Sequence, residues 1–476
     1  MSAADFTALS PVIVIAVAAI AVMMLIAFSR SHILTVLLTV TGLAGSFFSL
    51  FPAAGLVPMA VTPLIVIDGY SLFYMGLILM SGFVVTVLSY SYLESREENP
   101  EEFYLLLLLA VLGSMVLVSA RHFASFFLGL EVLTVSLYAL VAYVREAARS
   151  NEAGLKYLVL AGVSSAFLLF GMALVYAGLG TMEFGRIAEK VSIAADNTLV
   201  ISGFALTVVG IGFKLALVPF HMWTPDVYEG APAPVAAFIA TASKGAVFAL
   251  LLRFLGGADL QAYRPLFLIF SLLSITSMLA GNLLALFQQN VKRILAYSSI
   301  AHLGYLVVAF LAEGRLAATA VSYYLAAYFV TMLGAFGVVT LLSGKKDDAE
   351  SLDDYRGLAV QRPWLAGIFT VMLLSLAGIP LTAGFMGKFY VVAAGANSAL
   401  WLLVVILAAS SAIGLFYYLR IVAVLFMPGA EEKDAHGPIS FSGGFMTVCL
   451  AAVLFWLGVY PSFLINLIRT AMSAVH

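Results

Sequence analysis

The chain has 476 residues, of which 63% are hydrophobic and only 10% charged, with a mean hydropathy of +1.08. No soluble core of this length hides so much apolar side chain, so the composition is that of a polytopic membrane protein. A net charge of −2 implies no nucleic-acid partner, and the single cysteine, Cys449, excludes a disulfide framework, a CxxC pair and an iron–sulfur ligand set.

The opening stretch MSAADFTALSPVIVIAVAAI lacks a basic n-region and a small-residue cleavage site in the usual place. It reads as a retained first helix. A membrane helix needs about 20 largely apolar residues. Apolar runs bounded by Pro, Gly or charge predict about fourteen spans, an all-α polytopic fold. They fall near 11–28, 32–51, 69–93, 102–119, 121–144, 153–178, 197–226, 232–255, 264–286, 288–311, 314–343, 363–395, 397–427 and 441–469. The polar breaks between them are short, so no soluble domain fits there, and no lateral extension is read after the last span.

Four of the 23 lysines and arginines lie inside spans: Lys156, Lys214, Lys244 and Lys388. Twelve others fall in odd-numbered connections, Arg96, Arg149, Lys292, Lys346 and Lys433 among them, against seven in even connections and the tail. The positive-inside rule then places the odd connections in the cytoplasm and both termini outside.

Spans 7 and 12 share an interruption. Span 7 carries Lys214 and then Pro219; span 12 carries SLAGIPLTAGFMGKFY, with Pro380 and then Lys388. Five spans apart, the two cross the membrane in opposite directions. Inverted repeats with broken helices are one way to build a polar site at the bilayer midplane.

A charge at a helix centre costs roughly 2.5–3.5 kcal/mol on insertion scales. Among the acidic residues only Glu131, in FFLGLEVLTVSLYALVAY, falls near a span centre. Lys214 and Lys244 are similarly deep, His302 is mid-span, Lys156 lies nearer its helix start, and Lys388 lies past the break, in the outer half. At 1.5 Å per residue, Glu131 is roughly 15 Å and Lys214 roughly 22 Å from the outer surface. A Glu131–Lys214 pair is therefore allowed, and Glu131/Lys214, Lys244, His302 and Lys388 form a candidate lateral row.

Pro219 removes a backbone donor, and such a break is tolerated in lipid only where protein or a water-filled cavity satisfies the freed carbonyls. A buried lysine can gain and lose a proton. These are the parts of a proton path, yet plainer readings stand beside it. Glu131 and Lys214 make a static ion pair in one, Lys156 snorkels to the cytoplasmic surface in another, and His302 makes an interhelical hydrogen bond in a third. His221, His32, His122 and His436 read as interfacial or loop residues, and Asp226 and Glu229 as shaping a short connection. GLGTMEFG follows no strand and is not a nucleotide loop.

FKLALVPFHMWTPDVYEGAPAPVAAF, NVKRILAYSSIAHLGY (290–305) and LAGIPLTAGFMGKFY (376–390) are long and specific. Through them the chain resembles, over essentially its whole length, the antiporter-like membrane subunits of respiratory complex I, the proton-translocating NADH:quinone oxidoreductase. It is most similar to the subunit N branch, since the lateral helix of the L branch is absent and Lys388 stands where the M branch has glutamate. The resemblance implies a single antiporter-like domain over 1–476, with helices 1–3 at 11–93, inverted five-helix repeats at about 102–255 and 264–427, and a last helix at 441–469. Helices 7 and 12 would be broken, at Pro219 and Pro380. It implies proton-transfer roles for Glu131, Lys214, Lys244 and Lys388; Lys156, Lys292 and His302 also sit in family-like contexts. The chain would be a subunit of a translocase with no redox centre or cofactor of its own; FMN, iron–sulfur clusters and quinone would belong to other subunits. Partners would be K-type and M-type neighbours in a bacterial inner membrane. Two alternatives remain: a subunit of a multisubunit cation/proton antiporter, and a structural spacer.

Overall fold

The computed structural model describes residues 2–97, 99–145, 147–191, 197–256, 263–312, 314–345, 347–428 and 439–472; Lys346, Lys433 and His436 lie outside the described residues. Almost every described residue is helical. Three helices come first: α1 (Ala3–Phe28), α2 (His32–Ala54) and, after a two-residue hairpin of β1 (Met59–Ala60) and β2 (Val66–Ile67), α3 (Gly69–Glu94). The hairpin is antiparallel, pairing Met59 with Ile67. Next come α4 (Glu101–Ser119), α5 (Phe123–Val141), α6 (Ala148–Leu179), the short α7 (Phe184–Val191), α8 (Thr198–Leu215), α9 (Trp223–Gly230) and α10 (Ala233–Phe238). A π-helical turn, Ile239–Ser243, joins α10 to α11 (Lys244–Leu255). The second half holds α12 (Arg264–Leu286), α13 (Val291–Leu311), α14 (Gly314–Leu342), a 3₁₀ turn at Leu352–Tyr355, α15 (Leu358–Gln361), α16 (Pro363–Ala377), α17 (Ala383–Asn397) and α18 (Trp401–Phe426). Helices α19 (Phe441–Val459) and α20 (Ser462–Met472) end it.

Among the described residues, thirteen helical segments are long and apolar enough to cross a membrane, and the halved pass α16/α17 makes a fourteenth. Five passes, α4 to α11, are followed by five more, α12 to α18, and each set has its fourth pass broken. The first two passes of each set pack as a hairpin, and the third packs on the broken fourth. Buried side chains concentrate on α10–α11, α13 and α14, whereas α1, α2 and α6 present wide apolar faces outward.

Span 7, read to 226, ends as α8 at Leu215, with α9 a separate helix to Gly230, and the spans at the two ends of the sequence also differ from the sequence reading. Helix α1 starts at Ala3 rather than at residue 11, because Ser2 and Asp5 form a capping box and Pro11 is absorbed inside the helix. Proline there frees the Thr7 carbonyl, and the Ser10 hydroxyl donates to it at 2.7 Å. The last span is two helices, not one over 441–469. Pro461 cannot continue the ladder of α19, and α20 follows as a separate helix that packs on α3 and α14, with Leu464, Ile465, Ile468 and Met472 buried.

Contacts sort the connections onto two faces. Ile65 pairs with Ala120, and His122 with Glu183, which joins the connections after passes 2, 4 and 6. Asn290 pairs with Ser351, and Arg96 with Asp348, which joins those after passes 3, 9 and 11. These are called the even and odd faces below; Ala471 packs on Gly69 and so puts the described C-terminal end on the even face.

Candidate functional site

Both broken passes stop in the same way. At the end of α8, Ala216 adopts a left-handed φ of 58°, its N–H donates to Phe213 and Gly212, and Leu217 N–H donates to the Gly212 carbonyl at 2.8 Å. At the end of α16, Gly378 has φ 86°, its N–H donates to Leu374 and Ser375, and Ile379 N–H donates to the Leu374 carbonyl at 3.0 Å. This is a Schellman cap in each case. The breaks therefore begin at Ala216 and Gly378, before Pro219 and Pro380 rather than at them. The freed carbonyls find partners within the protein. Trp223 donates its indole N–H to Phe213 at 2.9 Å, and Lys388 donates to Leu376 at 2.8 Å and Ala377 at 2.9 Å.

Around these breaks lie the charges singled out in the sequence. Glu131, half-buried on α5, accepts from Ser165 of α6 at 2.6 Å. Lys214, 6% exposed, donates to Thr134 at 2.7 Å. Thr134 is one turn from Glu131, so the two charges face one polar patch but each takes a hydroxyl instead of the other. No ion pair joins them among the described residues, and the direct Glu131–Lys214 pair is replaced by this arrangement.

Lys244, 1% exposed, begins α11 and donates to Ser299 of α13 at 2.7 Å. Tyr328 of α14 donates to the same hydroxyl at 2.8 Å, and the Tyr228 hydroxyl lies 3.4 Å from it. Next door on α13, Ser298 is hydrogen-bonded to Tyr418 of α18. Tyr418 lies 3.1 Å from His302 Nε2, and Tyr324 lies 2.7 Å from His302 Nδ1. One turn further, Tyr305 presents its ring 5.4 Å from the Lys388 ammonium, which also donates to Ser411 at 2.8 Å. Helix α13 is thus the rail on which Lys244, His302 and Lys388 meet. Aromatic rings fill two intervals: between Lys214 and Lys244 stand the rings of Phe213 and Trp223, 5.4 Å apart, and between His302 and Lys388 stands the ring of Tyr305.

Lys156 is not in this row. It is 44% exposed on the odd face, bound to Glu152 and Asp226 at 2.8 Å each. Asp226 and Glu229 both bind Arg293, so α9 sits in an ionic collar. His221, read as interfacial or loop, is buried in the break of span 7, 7% exposed, with no partner for Nδ1 among the described residues. His122 caps α5 by accepting from the Ala124 N–H at 3.1 Å. Sequence reasoning missed Thr134, Ser165, Ser298, Ser299 and the tyrosines 228, 324, 328 and 418. No group of His, Cys, Asp and Glu among the described residues could hold a metal ion.

A family model described as NADH:quinone oxidoreductase/Mrp antiporter, transmembrane, matches residues 120–414, which contain both breaks and every charge of the row. The chain belongs to that family. Within this antiporter-like family, it is 49% identical over 483 aligned positions to the NADH-quinone oxidoreductase subunit N of Ectopseudomonas mendocina (strain ymp), covering 99% of this chain and 97% of that protein. A chain of respiratory complex I from Thermus thermophilus with bound aureothin superposes with a TM-score of 0.83 at 34% identity, covering 96% of this chain and 98% of that one. The fold alone is shared with a chain of an archaeal membrane-bound sulfane sulfur reductase, at TM-score 0.86 and 22% identity over 99% of this chain and 98% of that one. It is shared likewise with a chain of the Mrp complex from Dietzia sp. DQ12-45-1b, at 0.85 and 19% over 100% and 98%. These antiporter-like relatives fit a multi-pass membrane protein.

Proposed function

We propose that this chain is the N-type, proton-translocating membrane-arm subunit of a bacterial NADH:quinone oxidoreductase. The observation that carries the reading is the buried row on α13. There, Lys244 on Ser299 and His302 between Tyr418 and Tyr324 engage hydroxyls that donate and accept protons, and Lys388 lies against the ring of Tyr305 one turn from His302. Glu131 tunes Lys214 across the shared patch, and Lys214 passes its proton to Lys244 when water enters between Phe213 and Trp223. His302 then carries the proton to Lys388, which releases it outside. Lys156, in the odd-face ion cluster, serves at the entrance. Pro219 and Pro380 hold open the segments after the two caps.

In this reading the odd face is cytoplasmic and both termini are periplasmic. The whole chain acts as one antiporter-like domain, with inverted repeats at about 102–255 and 264–427. Electron transfer, with its FMN, iron–sulfur clusters and quinone, belongs to other subunits, and the flanking neighbours are K-type and M-type. Two measurements test this. Affinity purification through this chain brings down flavin- and iron–sulfur-containing partners; their absence returns the reading to a cation/proton antiporter subunit. Lys244→Met abolishes proton uptake by vesicles oxidising NADH while the complex still assembles; wild-type uptake reduces the chain to a spacer.

A further inference from the structure

A neutral polar network lies beside the row of charges, where α12, α13 and α18 meet. Its centre is Asn282 of α12, which is buried and whose side-chain amide meets four groups. The Tyr417 hydroxyl of α18 donates to Oδ1 at 2.9 Å. Nδ2 lies 2.9 Å from the Met278 carbonyl, 2.9 Å from the Tyr305 hydroxyl of α13 and 2.6 Å from the Ser410 hydroxyl of α18. A carbonyl can only accept, so the nitrogen must be the amide atom on that side. An amide nitrogen has two protons. Three acceptors therefore compete for two N–H groups, and one of the three is unfilled at any moment.

The frame around this amide is tight. Arg420 of α18 donates to the carbonyls of Leu286 and Gln288 at 2.9 and 2.6 Å, which ties the odd-face end of α12 to α18. Ser410 also donates to the Met278 carbonyl, at 2.8 Å. Residue 414 of α18 leaves room for the amide only because it is glycine: a Cβ there would lie 2.9 Å from Asn282 Oδ1. Within a fixed frame, what can change is the choice of acceptor, and Tyr305 is the loosest of the three. Beyond Asn282 its hydroxyl has, among the described residues, only Ser410 at 3.4 Å. The ring of Tyr305 is the one that stands between two charges of the row, 5.4 Å from the His302 ring and 5.4 Å from the Lys388 ammonium.

Resting on the proton-relay reading above, we propose that Asn282 is a positioning residue of the path, a latch that holds the Tyr305 ring between His302 and Lys388 and releases it when both N–H groups turn to Met278 and Ser410. Release leaves no bare N–H on the amide, because two acceptors remain, so the buried network tolerates both settings. With the ring latched, an apolar face separates His302 from Lys388, and a proton on Lys388 does not return. With the ring released that barrier is gone: a proton leaves the His302 imidazolium and adds to the neutral amine of Lys388. The amide of Asn282 takes no proton itself and acts only through Tyr305.

The test is the ratio of proton uptake to NADH oxidised, measured on the assembled complex in vesicles. Tyr305→Phe keeps the ring but removes the oxygen that the amide holds. Asn282→Leu keeps the volume but removes the amide. Each unlatches the ring and lowers the ratio, because protons return from Lys388. The double variant lowers it no further, since either change alone already breaks the same bond. A packing defect lowers uptake and oxidation together, and a wild-type ratio in both single variants overturns the latch. So does a double variant that falls below either single one. Where Asn282→Leu does not assemble, the ratio in Tyr305→Phe decides alone. Lys388→Arg in the same vesicles separates the latch from the reading beneath it. Lost uptake in Lys388→Arg with a wild-type ratio in Tyr305→Phe strikes the latch and keeps the row, whereas wild-type uptake in Lys388→Arg strikes both.

Discussion

Lys388 donates to three acceptors, the carbonyls of Leu376 and Ala377 and the hydroxyl of Ser411, which is every proton an ammonium has. Losing one proton leaves one acceptor unfilled, so the site can sense its charge state. Arginine keeps the positive charge but does not release its proton at any pH a protein survives. Lys388→Arg is expected to assemble yet pump poorly, with coupled NADH oxidation slowed, as read by proton uptake in vesicles with and without an uncoupler. Wild-type pumping would leave Lys388 a fixed charge. Ser299 is the matching case among hydroxyls, since Lys244 and Tyr328 both donate to it. Ser299→Ala should slow pumping at least severalfold, and Ser299→Thr should largely restore it. Equal rates for the two variants would mean that the hydroxyl carries nothing. The charges of this row were legible in the sequence because each interrupts an apolar run. The hydroxyls were not, because Ser, Thr and Tyr are ordinary in membrane helices. Whether one bonds its own backbone, as Thr331 does to Ala327 at 2.7 Å, or a lysine, as Ser299 does, depends on which helices meet.

The two Schellman caps are equivalent in hydrogen bonding but not in residue, since one left-handed position is alanine and the other glycine. A non-glycine residue there is strained by about 1–2 kcal/mol. Ala216→Gly should therefore be stabilising or neutral and leave pumping intact. Gly378→Ala adds that strain and also collides with Lys388, whose Cδ would lie 2.8 Å from the new Cβ. We expect Gly378→Ala to assemble with lower thermal stability and markedly reduced pumping, measured on the same vesicles. Similar behaviour of the two variants would show that the caps do not position the charges. The interruptions were legible through Pro219 and Pro380, which is why spans 7 and 12 were singled out. Their exact start was not, because the caps rest on carbonyl partners such as Gly212 and Leu374 that no local pattern marks. The end of α19 was misread for the opposite reason. The residues after Pro461 are apolar enough to extend a span, and only the contacts of Ile465 and Ile468 with α3 and α14 show that they form a separate helix.

At the scale of the whole molecule, one ionic latch ties the three opening helices to both sets of five passes. Asp348, in the connection after pass 11, accepts from Lys292 at 2.7 Å, from Arg96 at 2.9 Å and from Tyr92 at 2.8 Å. Lys292 also donates to the Ala231 carbonyl at 2.7 Å, at the turn between α9 and α10. Partners so far apart in sequence could not be paired from composition or spacing. Burial alone would push the Asp348 carboxyl up, but Lys292 and Arg96 outweigh it and hold it at about 2. The sign of the linkage follows. An aspartate held below its unfolded value of about 3.9 contributes stability that is complete above that value and is lost as pH falls through about 2. The latch therefore stays closed across the physiological range, and pH changes during turnover do not open it. Removing the charge does what pH cannot. Asp348→Asn strands Lys292, only 1% exposed, beside Arg96, and breaking a buried pair on one side costs about 3–5 kcal/mol. The control is Asp353→Asn, which removes an exposed pair with Arg356 one turn away and should change little. In the detergent-solubilised complex, Asp348→Asn should lower the melting temperature of this subunit by several degrees. Protease should cut its connection after pass 11 faster, at every pH from 6 to 8. If Asp348→Asn melts and resists protease like Asp353→Asn, the latch is an incidental surface contact, and the two sets of passes are held together by helix packing alone.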